Sequence, residues 1–363
     1  MMKNQMPSEG LRLGRDSGSV LCDTLKKWPF RTGWGGGTSV FGSKKVDGEF
    51  FSKDYTNVLK GVCCIIVIYV HFPIQYQNAL QDAIGSFAYV AVTLFFMVSS
   101  YGMMLSAERK KSYLDCFWRN RLVVLLVPAF LVNVAACIFG GIKGNLVMSG
   151  LVHINGYVMV LIQFCLWFYI VEIVKRKWFA DKTMLGDAIL IGGVIASSLY
   201  LYLCKYGEVR AESGWCFERM GLVWGILLYR HYDKFVTWMD KSRMAKSIVL
   251  CMMSLILGVA YLKYKSIWFL GEYVLKIILG IVIISFLFTM TSNRKFGNKF
   301  SFWLGDISYE VYLSHGLMMG VLAYYMPNLT SEWFILLTVV STLVISTLIH
   351  AIGKPIVNRL RNS

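Results

Sequence analysis

The sequence predicts an all-α, polytopic membrane protein with about ten transmembrane helices, and three observations carry that prediction. Hydrophobic residues make up 56% of the 363 residues and charged residues only 16%, with a mean hydropathy of +0.55. Ordinary soluble domains are roughly 45–50% apolar and 25% charged, and a water-soluble fold of this length has no core large enough to hide the excess. The apolar residues come in continuous runs of about 20, the length a helix needs to cross hydrocarbon, and not in the short alternating segments of an outer-membrane barrel. Finally, the basic residues fall between the runs, heavily in one set of alternate loops and sparsely in the other.

The elements follow in order. Residues 1–52 are polar, basic and Gly-rich (Gly33, then Gly35, Gly36 and Gly37), with no apolar run long enough for a signal peptide. They read as a disordered cytoplasmic tail or as an extension from an upstream start codon. Residues 53–363 are the membrane domain. Its ten runs span approximately 57–76, 83–105, 121–140, 157–175, 186–204, 214–230, 245–263, 268–290, 302–325 and 333–352. The sixth is the weakest, being short and carrying Glu218 and Arg219.

One set of alternate loops, with the C-terminal tail, holds twenty Lys and Arg, including Arg109, Lys110, Lys111, Arg119, Arg121, Lys182, Arg294 and Lys295. The opposite loops hold five: Lys143, Lys205, Arg210, Lys263 and Lys265. Both termini are therefore expected in the cytoplasm. Removing any one helix would reverse every later loop, so the alternation supports the count as well as the orientation.

The net charge of +16 does not mean nucleic acid, because no basic stripe interleaved with aromatics lies on a soluble domain. Nine cysteines are present, most inside apolar runs, where they act as small hydrophobes. None has metal-ligand spacing, and no metal site is expected. Cys204 and Cys216 flank one outer loop, which leaves a disulfide open there.

Ionisable groups inside apolar runs need a reason, since each costs about 2.5–3.5 kcal/mol on insertion scales. His71 lies eleven residues beyond Lys60 in the first run, about 16 Å along a helix and toward the outer half. Glu172 closes the fourth run beside Lys175, an interfacial placement. Glu272 and Lys276 have the i, i+4 order of an intrahelical pair. The ninth run is the most loaded: Asp306, Tyr309, Glu310 and Leu313 fall on one helical face, with Ser308, Tyr312 and His315 along a neighbouring stripe. Such a helix lines a polar cavity or a tight polar contact. The first and ninth runs both point outward, so His71 and His315 are expected at similar depth. Without more, His71 reads as a catalytic residue or as a buried histidine bonded to a neighbouring helix, with Pro73 shaping the backbone.

Four segments in order resemble the acyltransferase-3 family of bacterial membrane O-acyltransferases, which modify surface glycans. Leu59-Lys60-Gly61 followed by an apolar run to His71 is similar to the family's opening helix. Phe117 to Pro128 is similar to its basic entry to the third helix, with Arg121 at the position of the arginine seven residues before the proline. Leu166-Trp167-Phe168 is similar to its fourth-helix signature. Leu304-Gly305 through Ser308-Tyr309, Tyr312-Leu313 and His315 is similar to its ninth-helix segment, the most specific of the four. The resemblance spans roughly 53–352 and implies ten helices. It departs at Val124, where many members carry a second arginine; Arg119 or the Arg109-Lys110-Lys111 cluster is the substitute at hand.

The resemblance implies a bacterial cytoplasmic-membrane enzyme that moves an acyl group, most often acetyl, from cytoplasmic acyl-CoA to a sugar hydroxyl of a glycan or its lipid-linked precursor. Polysaccharide-biosynthesis proteins are the expected partners, and no tightly bound cofactor is expected. Arg119 and Arg121 stand at the cytoplasmic mouth, where guanidinium forks suit phosphates. His71 is the expected general base, or an acyl carrier. Glu310 and His315 are its candidate catalytic companions, and Ser308, Tyr309, Tyr312 and Trp167 are candidate substrate contacts. No soluble acyltransferase domain follows the tenth run, so transfer is expected within the membrane part or with a separate partner. Two rival readings accommodate the intramembrane charges: a proton- or ion-coupled transporter, which predicts internal symmetry that is not evident here, and a non-catalytic glycan-binding subunit.

Overall fold

Each of the ten apolar runs falls on a helix, or on a helix pair, in the computed structural model. It describes residues 50–72, 85–110, 112–142, 148–178, 183–205, 215–293 and 297–362. The tail through residue 49 lies outside the described residues, as do Pro73, Lys111, Lys143, Lys182, Arg210, Arg294 and Lys295. Among the described residues there are twelve α-helices and no strand. They are α1 (Lys53–Val70), α2 (Tyr89–Arg109), α3 (Phe117–Ile142), α4 (Gly156–Trp178), α5 (Thr183–Tyr200), α6 (Met220–Arg230), α7 (Tyr232–Asp240), α8 (Arg243–Tyr264), α9 (Lys276–Thr291), α10 (Lys299–Asp306), α11 (Ser308–Tyr325) and α12 (Ser331–Asn362).

Seven segments are long and apolar enough to cross a membrane: Tyr89–Arg109, Phe117–Ile142, Gly156–Trp178, Met184–Cys204, Arg243–Tyr264, Leu270–Thr291 and Ser331–Asn362. The first, sixth and ninth runs depart from simple spans, each for a physical reason. α1 stops at Val70 with His71 as its C-cap, because a proline two residues on disfavours helical backbone just before it. α6 has only eleven residues. The ninth run is divided by a turn at Ile307, whose N–H bonds back to Trp303 and Gly305. Asp306 and Glu310 consequently point to different neighbours and do not form the single polar face expected. Two shorter surprises follow: Phe50 and Phe51, assigned to the tail, are buried among Tyr55, Phe235 and Phe288, and the amphipathic α7 occupies what read as a plain loop.

α12 states the solvent plainly. Its exposed stripe is Leu336, Val340, Val344, Leu348 and Ile352, whereas its buried residues are Thr338, Thr342, Ser346 and Gly353 together with Phe334 and Ile349. A helix with large apolar side chains facing out and hydroxyls and a glycine among its buried residues suits lipid, where helices associate through close packing and interhelical hydrogen bonds; Ser346 meets Ser314 of α11 at 2.9 Å.

Two glycine contacts fix the elements around the site. Gly221 and Gly225 of α6 lie directly against the Thr93 and Met97 carbonyls of α2, leaving no room for a Cβ. This small-xxx-small spacing lets a short helix dock tightly. Gly305 of α10 likewise lies on the Asn57 carbonyl of α1, and a Cβ on Gly61 would come 3.1 Å from the Gly305 nitrogen. The Leu59-Lys60-Gly61 and Leu304-Gly305 motifs thus cross one another.

Candidate functional site

A cavity of about 400 Å³ opens among the end of α1, the start of α2 and the entry to α6. In the orientation expected from loop charge these are outer ends. Val67, His71, Tyr89, Trp215, Glu218 and Tyr312 contribute to its lining. α1 brings His71, α11 brings Tyr312 and behind it His315, and the turn preceding α6 brings Trp215 and Glu218.

The two histidines come into contact. Their ring centroids are 4.9 Å apart, tilted by 58°, and the Tyr312 ring stands edge-on to His315 at 5.8 Å. His71 is exposed and His315 is buried. Each ring is oriented by its own helix: His71 Nδ1 lies 2.7 Å from the Val67 carbonyl, and His315 Nδ1 lies 2.6 Å from the Tyr312 carbonyl. A carbonyl only accepts, so each Nδ1 carries the proton and donates it. In the neutral ring the lone pair then sits on Nε2. Of the two rings, the exposed His71 is the one placed to take and return a proton at Nε2, with the buried His315 packed beside it.

Other expected site residues lie elsewhere. Glu310 sits five residues before His315, about 7.5 Å along the helix, where its carboxylate accepts from His350 Nδ1 of α12 at 2.9 Å. Asp306 accepts from Asn57 Nδ2 at 2.9 Å, and Lys60 is within electrostatic reach of both acids. Ser308 Oγ donates to the Gly305 carbonyl at 2.8 Å and closes the turn at Ile307. The Tyr309 hydroxyl donates to the Leu125 carbonyl of α3 at 2.7 Å. Trp167 Nε1 donates to the Leu190 carbonyl at 3.2 Å, its indole lying on Gly193 of α5. The structure gives Ser308, Tyr309 and Trp167 packing contacts away from the cavity.

The arginines stand at the opposite end, at the start of α3. Arg121 donates to the Tyr113 hydroxyl through Nη2 at 2.7 Å and Nε at 3.1 Å. Burial raises the Tyr113 phenol above its ordinary range while the guanidinium pulls it down, so the phenol is neutral, and no carboxylate pairs with Arg121 among the described residues. Arg119 Nη2 reaches Cys116 Sγ at 3.5 Å. Val124 is exposed on α3, facing out of the bundle.

Sequence reasoning missed three members of this arrangement: Trp215, Tyr89 and His350. Glu218 was visible as an acid in an apolar run, but its neighbours were not. The expected Glu272–Lys276 pair is absent among the described residues; Lys276 Nζ instead lies over the Phe217 ring at 4.0 Å and the Tyr89 ring at 4.8 Å. Glu172 does pair with Lys175 at 2.8 Å. Cys204 and Cys216 are both free thiols. Among the described residues no cluster of His, Cys, Asp or Glu could hold a metal ion.

The fold and site define a polytopic helical membrane protein with a cavity lined by His71 at one end of the bundle and Arg121 at the other. Residues 53–351 match the model of the acyltransferase-3 family, described as an acyltransferase domain, and the chain belongs to that family. No curated protein and no solved structure matches it at a significant level.

Proposed function

We propose that this membrane acyltransferase moves an acyl group, acetyl in the simplest case, from cytoplasmic acyl-CoA to a hydroxyl on a sugar of a bacterial surface glycan or its lipid-linked precursor. The observation that carries the reading is the His71–His315 pair, with both Nε2 lone pairs set by backbone carbonyls beside a cavity. A sugar hydroxyl is a poor nucleophile at neutral pH, and a positioned imidazole supplies the missing basicity.

In this reading His71 Nε2 takes the hydroxyl proton as the oxygen attacks the thioester carbonyl carbon. The tetrahedral intermediate collapses, the C–S bond breaks, and the imidazolium returns its proton to the departing CoA thiolate. The new C–O bond is the ester. His315 stands 4.9 Å away to accept or relay the same proton. Donor geometry is compatible. Tyr309 meets the level of Leu125, four residues above Arg121 and six below His315, so phosphates at Arg121 would lie about 15 Å below the histidines. An extended pantetheine arm covers that distance.

The test is the ester-linked acyl content of the surface polysaccharide in a deletion strain complemented with wild type or with His71→Ala. Loss on deletion, restored by wild type alone, is expected. Unchanged acylation in the deletion strain would overturn the reading.

A further inference from the structure

Glu218 is buried to within 8% of full enclosure, and its Oε2 has no hydrogen-bond partner among the described residues. Buried acceptors are ordinarily paired, and one left open beside a cavity calls for an explanation. Its sequence neighbour points elsewhere: Arg219 donates to Gln163 Oε1 at 3.0 Å and Ser197 Oγ at 3.3 Å, toward α4 and α5. Lys276, lying on the Phe217 and Tyr89 rings, is within electrostatic reach and supplies a countercharge without occupying Oε2. Three residues before Glu218, Trp215 also lines the cavity, with φ at 53°. A bulky residue in the left-handed region is strained, and such strain gathers at functional sites. Gly156 makes the conformation possible, since a Cβ there would come 2.8 Å from Trp215 Cη2 and nearer still to its neighbour Cζ3.

An aromatic ring and an open acceptor on one wall, with a basic imidazole among the other lining residues, match the needs of a sugar: an apolar C–H face to cover and a hydroxyl to hold while another reacts. We propose that Trp215 and Glu218 form the acceptor subsite of this cavity. The Glu218 carboxylate accepts a hydrogen bond from a second hydroxyl of the sugar, and the Trp215 ring packs on its apolar face. This inference rests on the glycan O-acyltransferase reading above.

The experiment uses the full-length chain. A deletion strain is complemented with wild type, Glu218→Ala, Glu218→Gln, Trp215→Ala or His71→Ala. Ester-linked acyl is measured per folded protein. Purified proteins are compared for melting temperature and for the KM of acetyl-CoA in thiol release. Glu218→Ala and Trp215→Ala are expected to lower glycan acylation by about tenfold or more, with the acetyl-CoA KM within about twofold of wild type. Glu218→Gln, whose amide oxygen still accepts, should fall between. Wild-type acylation per folded molecule in Glu218→Ala, with only a lower melting temperature, would mean a structural counter-ion to Lys276 and overturn the proposal. So would a parallel rise in the acetyl-CoA KM. Failure of wild type to restore any ester would instead sink the parent reading.

Discussion

Two polar regions of the bundle are built in opposite ways. At the far ends of α2, α5 and α6, Arg230 donates to both Glu108 and Asp187, its Nη2 reaching Asp187 Oδ1 at 3.0 Å, and the Tyr229 hydroxyl donates to Glu108 at 2.7 Å. Each charge there ends on a partner and ties three helices together. At the cavity, Glu218 Oε2 has no hydrogen-bond partner among the described residues, and His71, with His315 behind Tyr312, turns its Nε2 away from its anchoring carbonyl. Saturated polar groups hold the protein together, and unsaturated ones beside a cavity await another molecule. Both regions contain buried charge, so burial alone does not separate scaffold from site.

The comparison breaks most sharply at His71. His71→Ala should lower transfer by about 10²–10⁴-fold, measured as ester formed per folded protein, while membrane abundance and melting temperature stay at wild type. Gly225→Val is the opposite case. Its side chain would meet the Met97 carbonyl and Ser100 Oγ, a backbone contact that cannot yield as a core side chain does, so a loss of at least about 1–3 kcal/mol is expected, read as a lower detergent melting temperature and less protein in the membrane.

Arg230→Ala should also act on stability. It strands two carboxylates, and because Glu108 is partly exposed the loss after solvent screening is about 1–2 kcal/mol, with the acyl-CoA KM unchanged in whatever folds. Arg121→Lys keeps the charge but loses the planar fork. It should raise the acyl-CoA KM by about tenfold, equivalent to about 1.4 kcal/mol, with the defect growing at higher salt. The smallest effect belongs to Tyr309→Phe, which removes the hydroxyl bond to the Leu125 carbonyl and should cost about 1 kcal/mol of stability; a larger loss in rate than in melting temperature would bring Tyr309 into the site.

Much of the fold was legible because the bilayer imposes its length on the sequence: ten apolar runs became helices in the expected order. What escaped depends on contacts between distant segments. The break at Ile307 relies on Ser308 bonding Gly305 and on Asn57 holding Asp306, neither of which has a signature in hydropathy. The shortness of the sixth run was visible in the sequence, but the docking of α6 on α2 through Gly221 and Gly225 is invisible to a hydropathy window. In the site, the shared depth of His71 and His315 followed from counting residues along two helices that run the same way. Their contact, the pairing of Glu310 with His350, and the meeting of Trp215 with the cavity depend on helix rotation, which no spacing rule fixes. Trp167 shows the converse: a residue prominent in a motif turned out to secure α4 to α5.

The carbonyls that orient the two histidines have a consequence for how this enzyme can change. In many catalytic pairs an acidic side chain holds the imidazole, and that acid can be mutated, selected or lost. Here the holder is the peptide backbone at Val67 and Tyr312, which every substitution leaves in place. A mutational scan would register the two imidazoles and pass over their supports. The proton position at these rings is therefore inherited with the helix itself, and only a change that unwinds α1 or α11 could revoke it.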